Sequence, residues 1–257
     1  MSSRAEQKAE ARAAREAAER EAAQAAARKK RLITFGGILA AAAAIIVAVV
    51  LVTGGGDDNG GDGKGGDGPQ LAMFDGIAQE GAWLGDPNAP VVMEEYADLQ
   101  CPFCKEFALN NLEPIIRDFV RSGEVRIRLR MIAILGPESE AAARWFQAAA
   151  QENRGWQFSE AFYAEQGIEG TGYADEKFLR ARAEYAGLDP DKLAGAVASG
   201  PVTSAAQADQ RAFEEAGLEG TPSFRIGPKD GKLRTVQIDQ LPTELQKEVE
   251  KSQSAGD

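Results

Sequence analysis

Residues 91–104 read VVMEEYADLQCPFC, a mostly apolar run that leads directly into the only two cysteines of this 257-residue chain. The β-branched and aromatic residues of the run predict a strand that ends before the cysteines. Residues 107–120 then place apolar side chains at helical spacing. The stretch therefore predicts a strand, a Cys-x-x-Cys motif and a helix in direct succession.

The motif places Cys101 where the helix begins, and its spacing brings the Cys104 sulfur within disulfide range. Unpaired backbone N–H groups and the helix dipole stabilise negative charge at this end of a helix. We therefore expect the pKa of Cys101 to lie below about 8.5, the ordinary value. Pro102 suits the first helical position, where no N–H is needed. Cys101 is expected to be ionised and reachable, and Cys104 to be the shielded, resolving thiol.

Two other interpretations of the cysteines remain open: a static structural disulfide, or two reduced thiols in the core. A disulfide that closes so short a loop removes little chain entropy, which disfavours the first. The chain has no His, which excludes hydrolases built on a Ser/His or Cys/His pair. Two cysteines without His also cannot complete a tetrahedral zinc site unless two carboxylates join. We expect no metal and no organic cofactor.

The rest of the pattern suggests an α/β domain. Residues 125–131, VRIRLRM, alternate as a strand with one buried face, and the three arginines are expected to be solvated or to cover a helix. Pro114 should kink the preceding helix. A helical insertion follows at about 138–200, and six aromatic residues at helical spacing are expected in its core: Trp145, Phe146, Trp156, Phe158, Phe162 and Tyr163.

The chain ends with a predicted hairpin, residues 223–226 and 233–238, and a helix at 242–251. Strand–helix–strand, a helical excursion, then strand–strand–helix is the order of a thioredoxin fold with a helical insertion between its two halves. We predict this α/β fold for residues 71–257.

Two segments resemble the DsbA-like thiol–disulfide oxidoreductases. Residues 84–105, LGDPNAPVVMEEYADLQCPFCK, resemble the active-site region of that family, and residues 220–224, GTPSF, resemble its cis-proline loop. The resemblance covers roughly residues 81–253. It implies a cis bond between Thr221 and Pro222, packed against the Cys101 sulfur and presented to an extended substrate.

The family position also implies a buried acid beneath the disulfide, which accepts a proton from Cys104. Strand alternation allows either Glu94 or Glu95 to point inward, and the family position favours Glu95. Asp98 is expected to be a turn residue. Phe103 stands where the family often has His, which implies a milder oxidant because Phe carries no positive charge.

The N-terminal part of the chain predicts a membrane anchor. Residues 33–52 form an uncharged run of twenty, about 30 Å as a helix, which matches the hydrocarbon core of a bilayer. The basic cluster at 28–31 precedes this run, so the positive-inside rule places the charged helical segment 1–32 in the cytoplasm. Residues 53–70, rich in Gly and Asp, predict a flexible linker. A cleaved signal peptide is the alternative, disfavoured by the long leading segment.

The net charge of −11 is unevenly distributed, since residues 1–31 carry nine Lys or Arg against five Glu. That segment contributes +4 and leaves −15 for residues 32–257. An acidic ectodomain disfavours nucleic acid as a partner.

The sequence thus predicts a single-pass protein of the cell membrane whose extracytoplasmic domain forms disulfides in exported proteins. The predicted catalytic residues are Cys101, Pro102, Phe103, Cys104 and Glu95. Thr221 and Pro222 are the predicted substrate-binding residues. The resemblance implies reoxidation by a quinone-linked membrane oxidase. Two alternatives are a reductase or isomerase on the same fold, and a non-catalytic binding domain with a buried, unreactive Cys101.

Overall fold

The computed structural model of the protein describes residues 71–254. The predicted cytoplasmic segment 1–32, membrane span 33–52 and linker 53–70 lie outside the described residues. Within the described part, no helix has the length and apolar character needed to cross a membrane.

A mixed sheet forms the centre of the described region, with six strands in the order β1-β2-β4-β3-β5-β6. The strands are β1 (Gln79–Glu80), β2 (Trp83–Leu84), β3 (Val91–Ala97), β4 (Val125–Met131), β5 (Ser223–Pro228) and β6 (Arg234–Val236). The central pair, β3 and β4, is parallel, and the other neighbouring pairs are antiparallel. A parallel pair requires a crossover connection, and the helical residues after Cys101 supply it.

Eight α-helices accompany the sheet within residues 71–254. They are α1 (Pro102–Asn110), α2 (Leu112–Ile115), α3 (Pro137–Gln151), α4 (Gly155–Ala164), α5 (Glu176–Tyr185), α6 (Pro190–Ala196), α7 (Gly200–Glu215) and α8 (Leu241–Ser254). A π-helical turn, Ile116–Val120, follows α2, and the segments Leu71–Phe74 and Ile238–Gln240 are 3₁₀ turns. The order of elements confirms the predicted α/β fold with a helical insertion between its two halves.

Five helices connect β4 to β5. The first four, α3 to α6, coincide with the predicted insertion at about 138–200, and α7 then packs against α3 and β4. The six aromatic residues predicted for the core of this region are all buried, which confirms that prediction. Edge contacts with Tyr173 and Phe178 extend the aromatic cluster around Phe162.

The strict alternation of β4 is confirmed, with Val125, Ile127, Leu129 and Met131 on its buried face. The arginines alternate with these residues and are half-buried, so they are not fully solvated, and the predicted covering of a helix is confirmed for Arg128 and Arg130, which contact Asp209 of α7. The guanidinium groups of Arg126 and Arg128 lie 4.6 and 5.3 Å from the centre of the Trp83 ring.

Arg130 is half-buried and lies between two buried acids. Its Nε donates to Glu94 Oε1 at 2.8 Å, and its Nη1 donates to Asp209 Oδ1 at 3.1 Å. Asp209 lies on α7, so this cluster ties the last connecting helix to the centre of the sheet. An alternating sequence shows that a strand has a polar face, but it does not show which helix covers that face.

The helix after the cysteines is interrupted, as Pro114 predicts, but the interruption lies nearly one turn earlier. Helix α1 ends at Asn110, and Asn111 has φ −120° and ψ −21°. Proline lacks the N–H that would bond the carbonyl four residues back, and its ring clashes with that carbonyl. That carbonyl belongs to Asn110, which explains where the helix stops.

The hairpin of β1 and β2 was not predicted. Its strands are two residues long, and its turn places Gly81 at φ 61°. A two-residue loop with glycine in the left-handed region is a favoured hairpin connection. Strands this short carry no detectable alternation, and only the tertiary pairing of Trp83 with Arg128 reveals them.

The Arg130 cluster generates a prediction about stability. Replacing Arg130→Met leaves Glu94 and Asp209 buried with fewer charged partners, and we expect unfolding free energy to fall by about 3 kcal/mol. The control is Arg180→Met, because Arg180 pairs with the exposed Glu176 and Asp191. That change should have a much smaller effect, because its ion pairs are exposed to solvent. Urea unfolding measures both, and equal losses would contradict the assigned role of Arg130.

Candidate active site

The end of β3 and the start of α1 fix the position of Cys101. After Ala97 the chain turns, and the Cys101 N–H donates to the Asp98 carbonyl at 2.9 Å. Cys101 is the residue that precedes the first helical position, with φ −74° and ψ 121°, and Pro102 occupies that first position. The cysteine therefore lies where backbone N–H groups of the helix are unpaired, as predicted.

The surroundings of the Cys101 sulfur favour its thiolate. The pKa of Cys101 is lowered to about 6, and the largest cause is a hydrogen bond from the Cys104 thiol. The Thr221 hydroxyl and the backbone N–H groups of Cys104 and Phe103 lower the pKa further, whereas burial acts in the opposite direction. In its protonated form the Cys101 thiol donates to the Thr221 carbonyl at 3.3 Å. The helix terminus thus contributes as expected, but the second cysteine contributes more.

Cys101 is less accessible than predicted. Only 4% of its surface is exposed, because the loop that carries Thr221 lies against the sulfur. The neighbouring Phe103 is 71% exposed, and only its backbone N–H, not its ring, is among the causes of the lowered pKa of Cys101. Burial alone therefore does not separate a reactive Cys101 from an inert one, and the lowered pKa is the property that distinguishes them.

Cys104 is fully shielded, as predicted. It is 0% exposed, and burial raises its pKa well above the ordinary value, as does its hydrogen bond to Cys101. A backbone hydrogen bond from Asp98 acts in the opposite direction. The two thiols of one motif therefore have opposite shifts in pKa, which makes Cys101 the thiolate and Cys104 the proton carrier at neutral pH.

The loop before β5 completes the site. The peptide bond between Thr221 and Pro222 is cis, as the resemblance implies. The loop is placed by β5, which pairs with β3 so that Phe224 lies opposite Glu95 and Ser223 opposite Tyr96. Two segments 120 residues apart in the sequence thus meet at the Cys101 sulfur.

Glu94 and Glu95 are both buried, on opposite faces of β3. Glu94 belongs to the Arg130 cluster. Glu95 faces the cysteines, where its charge contributes to raising the pKa of Cys104, and burial raises the pKa of Glu95 itself to about 8. The placement favours Glu95 over Glu94 as the acid beside Cys104.

Residues of the insertion that were not predicted also contact the motif. The Gln166 side chain donates to the carbonyls of Leu99 and Cys101 at 2.6 and 3.1 Å. The Tyr163 hydroxyl donates to the Asp98 carbonyl at 3.3 Å. These contacts span more than 60 residues of sequence, and a polar residue within a helical pattern gives no indication of them.

Both cysteines are free thiols, and the described residues include no group of three or more His, Cys, Asp or Glu side chains that could hold a metal ion. The site consists of a thiolate, a shielded thiol, a buried carboxyl group and a proline loop. Such a set can exchange a disulfide with another thiol, since the nucleophile, the leaving group and a proton source are all present.

Comparison with known proteins places this site in a family. A family model described as Thioredoxin matches residues 78–246, which include both cysteines and the proline loop. The chain belongs to the thioredoxin family. A curated relative is the thiol:disulfide interchange protein DsbG of Escherichia coli, 34% identical over 85 residues, or 32% of each chain. The match thus spans about a third of that relative.

Two longer matches agree with this family assignment. The "Probable disulfide bond formation protein D" of Bacillus anthracis is 21% identical over 172 residues, which cover 65% of this chain and 78% of that protein. The crystal structure of oxidised BdbD from Bacillus subtilis superposes with a TM-score of 0.59 at 21% identity, covering 71% of this chain and 96% of that one. This likeness supports the fold. Together with these relatives, the family and the dithiol site identify the chain as a thiol–disulfide oxidoreductase.

The lowered pKa of Cys101 predicts how the reduced protein reacts with an alkylating agent. The rate should follow the thiolate, with a midpoint near pH 6 and a plateau above about pH 7.5, whereas free cysteine has its midpoint at about 8.5. Cys104 should stay unmodified because it is shielded. Mass spectrometry of the alkylated peptides across pH measures both, and a Cys101 midpoint above pH 8 would contradict the assigned environment.

The raised pKa of Glu95 predicts a pH-dependent gain from its removal. The unfolded carboxyl releases its proton at about 4.5 and the folded one at about 8, so stability falls as the pH rises between these values. Glu95→Gln should therefore stabilise the reduced protein by about 2–4 kcal/mol at pH 8 and by little at pH 4.5.

The neighbouring Glu94→Gln is the matched control. It removes the carboxylate that pairs with Arg130, so this change should destabilise the protein at pH 8. Urea unfolding at the two pH values measures both variants. If both variants change the free energy of unfolding at pH 8 in the same direction, the two acids do not have the different environments assigned to them.

Proposed function

We propose that this chain oxidises thiols in exported proteins, outside the cytoplasmic membrane, through the Cys101–Cys104 couple. The observation that carries the proposal is the low pKa of Cys101, which is held at about 6. A stabilised thiolate favours the reduced form of the enzyme, and a couple whose reduced form is stabilised is a stronger oxidant.

The reaction begins with the oxidised enzyme. A client thiolate attacks the Cys101 sulfur, the bond between Cys101 and Cys104 breaks, and Cys104 leaves as a thiolate. A second client thiolate then attacks the client sulfur in the mixed disulfide, which forms the client disulfide and releases Cys101 as a thiolate. Two electrons pass from the client to the enzyme. The low pKa of Cys101 makes it a good leaving group in this second step.

The sequence predicts that Cys104 resolves the mixed disulfide. That step has a different outcome from attack by the second client thiolate. Attack by Cys104 on the mixed disulfide re-forms the enzyme disulfide and returns the client in reduced form. It therefore serves as escape from an unproductive complex, and net oxidation requires the second thiol of the client.

Glu95 is proposed to supply the proton that Cys104 needs. With a pKa of about 8, the buried carboxyl is protonated at neutral pH and can neutralise the thiolate as it leaves. During reoxidation the same group takes the proton back. Thr221 and Pro222 are proposed to align the client beside Cys101, because their backbone is adjacent to the sulfur.

The sequence supports a membrane location for this chemistry. The uncharged run at 33–52, preceded by a basic cluster, would anchor the domain, and the Gly- and Asp-rich residues 53–70 would tether it on the outer side. Such a tether would hold the domain near a membrane oxidase linked to quinone, which we propose as the electron acceptor that restores the disulfide.

Activity of the Cys101→Ser variant tests the proposed reaction. The oxidised enzyme should introduce a disulfide into a reduced, unfolded client protein, measured by trapping of the remaining client thiols. Cys101→Ser should reduce the rate to that of air oxidation, because the chain contains no third cysteine. Cys104→Ser should do the same, since neither variant can form the disulfide. Retained turnover in either variant would end the proposal.

The direction of electron flow has its own assay. The wild-type protein should oxidise the reduced client faster than it catalyses the reduction of a disulfide protein by dithiothreitol. Faster reduction would favour the reductase alternative, and a failure in both directions would favour a non-catalytic domain.

A further inference from the structure

Asp98 makes more contacts than a turn residue needs. Its side chain is fully buried and accepts four hydrogen bonds. Oδ1 accepts from the Gln100 N–H at 2.9 Å and from the Ser139 hydroxyl at 2.7 Å, and Oδ2 accepts from the N–H groups of Ile134 and Leu135 at 2.9 and 3.1 Å. The contact with Gln100 closes the predicted turn, two others come from the loop between β4 and α3, and the fourth comes from Ser139 in the first turn of α3.

The four partners of Asp98 are all donors, which matches an ionised carboxylate because that group only accepts hydrogen bonds. No Lys or Arg of residues 71–254 forms an ion pair with it, so these donors alone offset the burial of its charge. An amide at this position would place an NH₂ donor against at least one of them. The arrangement is therefore specific for Asp.

The backbone of Asp98 contacts the catalytic pair. Its carbonyl accepts from the Cys101 N–H and from the Tyr163 hydroxyl, and its backbone also hydrogen-bonds the Cys104 sulfur. One residue thus contacts both cysteines through its main chain, and through its side chain it contacts the loop before α3 and the first turn of α3.

We infer that Asp98 is a positioning residue through which the helical insertion controls the reactivity of Cys101. Ile134 and Leu135 lie in the loop that leads into the insertion and Ser139 lies in its first helix, and their hydrogen bonds hold the turn that ends in Cys101. If the turn loosens, the Cys101 sulfur moves away from the helical N–H groups that stabilise its thiolate. The inference rests on the proposed redox function of that thiolate.

Besides Cys101 and Asp98, and the nearby Glu138 and Lys105, four titratable groups with a raised pKa lie around this part of the site. They are Glu95 on β3, Cys104 on α1, Tyr163 on α4 and Tyr173 before α5. Burial raises the pKa of each of them, and the lowest of these values is that of Glu95, about 8. The raised pKa values place the titration of these four groups above pH 7, so between pH 4 and 7 none of the four dominates the alkylation profile of Cys101.

Ser139→Ala is the central variant because it removes one donor to Asp98 and leaves the charge and the cysteines unchanged. The matched control is Ser159→Ala, a second buried serine of the insertion whose hydroxyl donates to Trp156 within its own helix. We expect alkylation of Cys101 at pH 6 to slow about two- to fivefold in Ser139→Ala, with the midpoint shifted upward, and to stay unchanged in Ser159→Ala.

Two further variants make the result specific. Ser139→Thr keeps the hydroxyl and should restore the wild-type profile. Asp98→Asn should slow alkylation at pH 6 by about tenfold or more, because several hydrogen bonds are lost together. Should Asp98→Asn fail to fold, the serine variants still decide the question.

Alkylation of the wild-type protein tests the proposed function, and alkylation of the serine variants tests the role of Asp98. If wild-type Cys101 reacts no faster than free cysteine at pH 6, the proposed function itself fails. If the wild type reacts quickly but Ser139→Ala matches Ser159→Ala, or Ser139→Thr is as slow as Ser139→Ala, the role of Asp98 is overturned. A loss of thermal stability with an unchanged profile would likewise make Asp98 purely structural.

Discussion

The hydrogen bonds that converge on the Cys101 sulfur are the interaction on which the rest of this structure depends. The sulfur is nearly buried, yet its pKa is held at about 6, because donors from Cys104, from the start of α1 and from Thr221 together outweigh the effect of burial. The donors come from two parts of the fold, the first turn of α1 and the proline loop. Strand β3 delivers the turn, the crossover helix begins at Pro102, and β5 brings the proline loop to the same place.

Three acids within five residues of β3 and its turn show how one fold accommodates buried carboxyl groups in different ways. Glu94 pairs with Arg130 across the sheet. Glu95 has no such partner and carries a raised pKa, which suits it to move a proton beside Cys104. Asp98 is surrounded by hydrogen-bond donors from two segments. An ion pair, a protonated carboxyl group and a fully hydrogen-bonded carboxylate thus lie along one short stretch of backbone, and the last two lie on the side of the cysteines.

Local patterns predicted the elements whose physical cause is local. The alternation of residues 125–131, the helix after the cysteines and the hairpin after Pro222 all agree with the structure. The helix break moved to Asn111 because proline acts on the carbonyl four residues before it. The β1–β2 hairpin was missed because two-residue strands carry no pattern, and its stability comes from pairing with β4.

The site was predictable only where both of its segments carry a motif. The cysteines and the Thr221–Pro222 bond could be placed from the sequence, but Gln166, Tyr163 and Ser139 could not. Their contacts depend on how the insertion folds back over the turn, and nothing in a helical pattern indicates which polar side chain points inward. The same limit explains why the sequence left open whether the arginines of β4 are solvated or cover a helix, whereas in the structure α7 covers that face through Asp209.

The reduction potential of the Cys101–Cys104 couple, measured by equilibration with glutathione at pH 7, tests the central claim most directly. A thiolate stabilised to a pKa of about 6 lies between thioredoxin, with a pKa of about 7, and DsbA, with about 3.5. We therefore predict a potential between about −270 mV and about −120 mV, the values of those two proteins. A potential at or below about −270 mV would show that the thiolate is not stabilised in the reduced protein, and it would contradict the account.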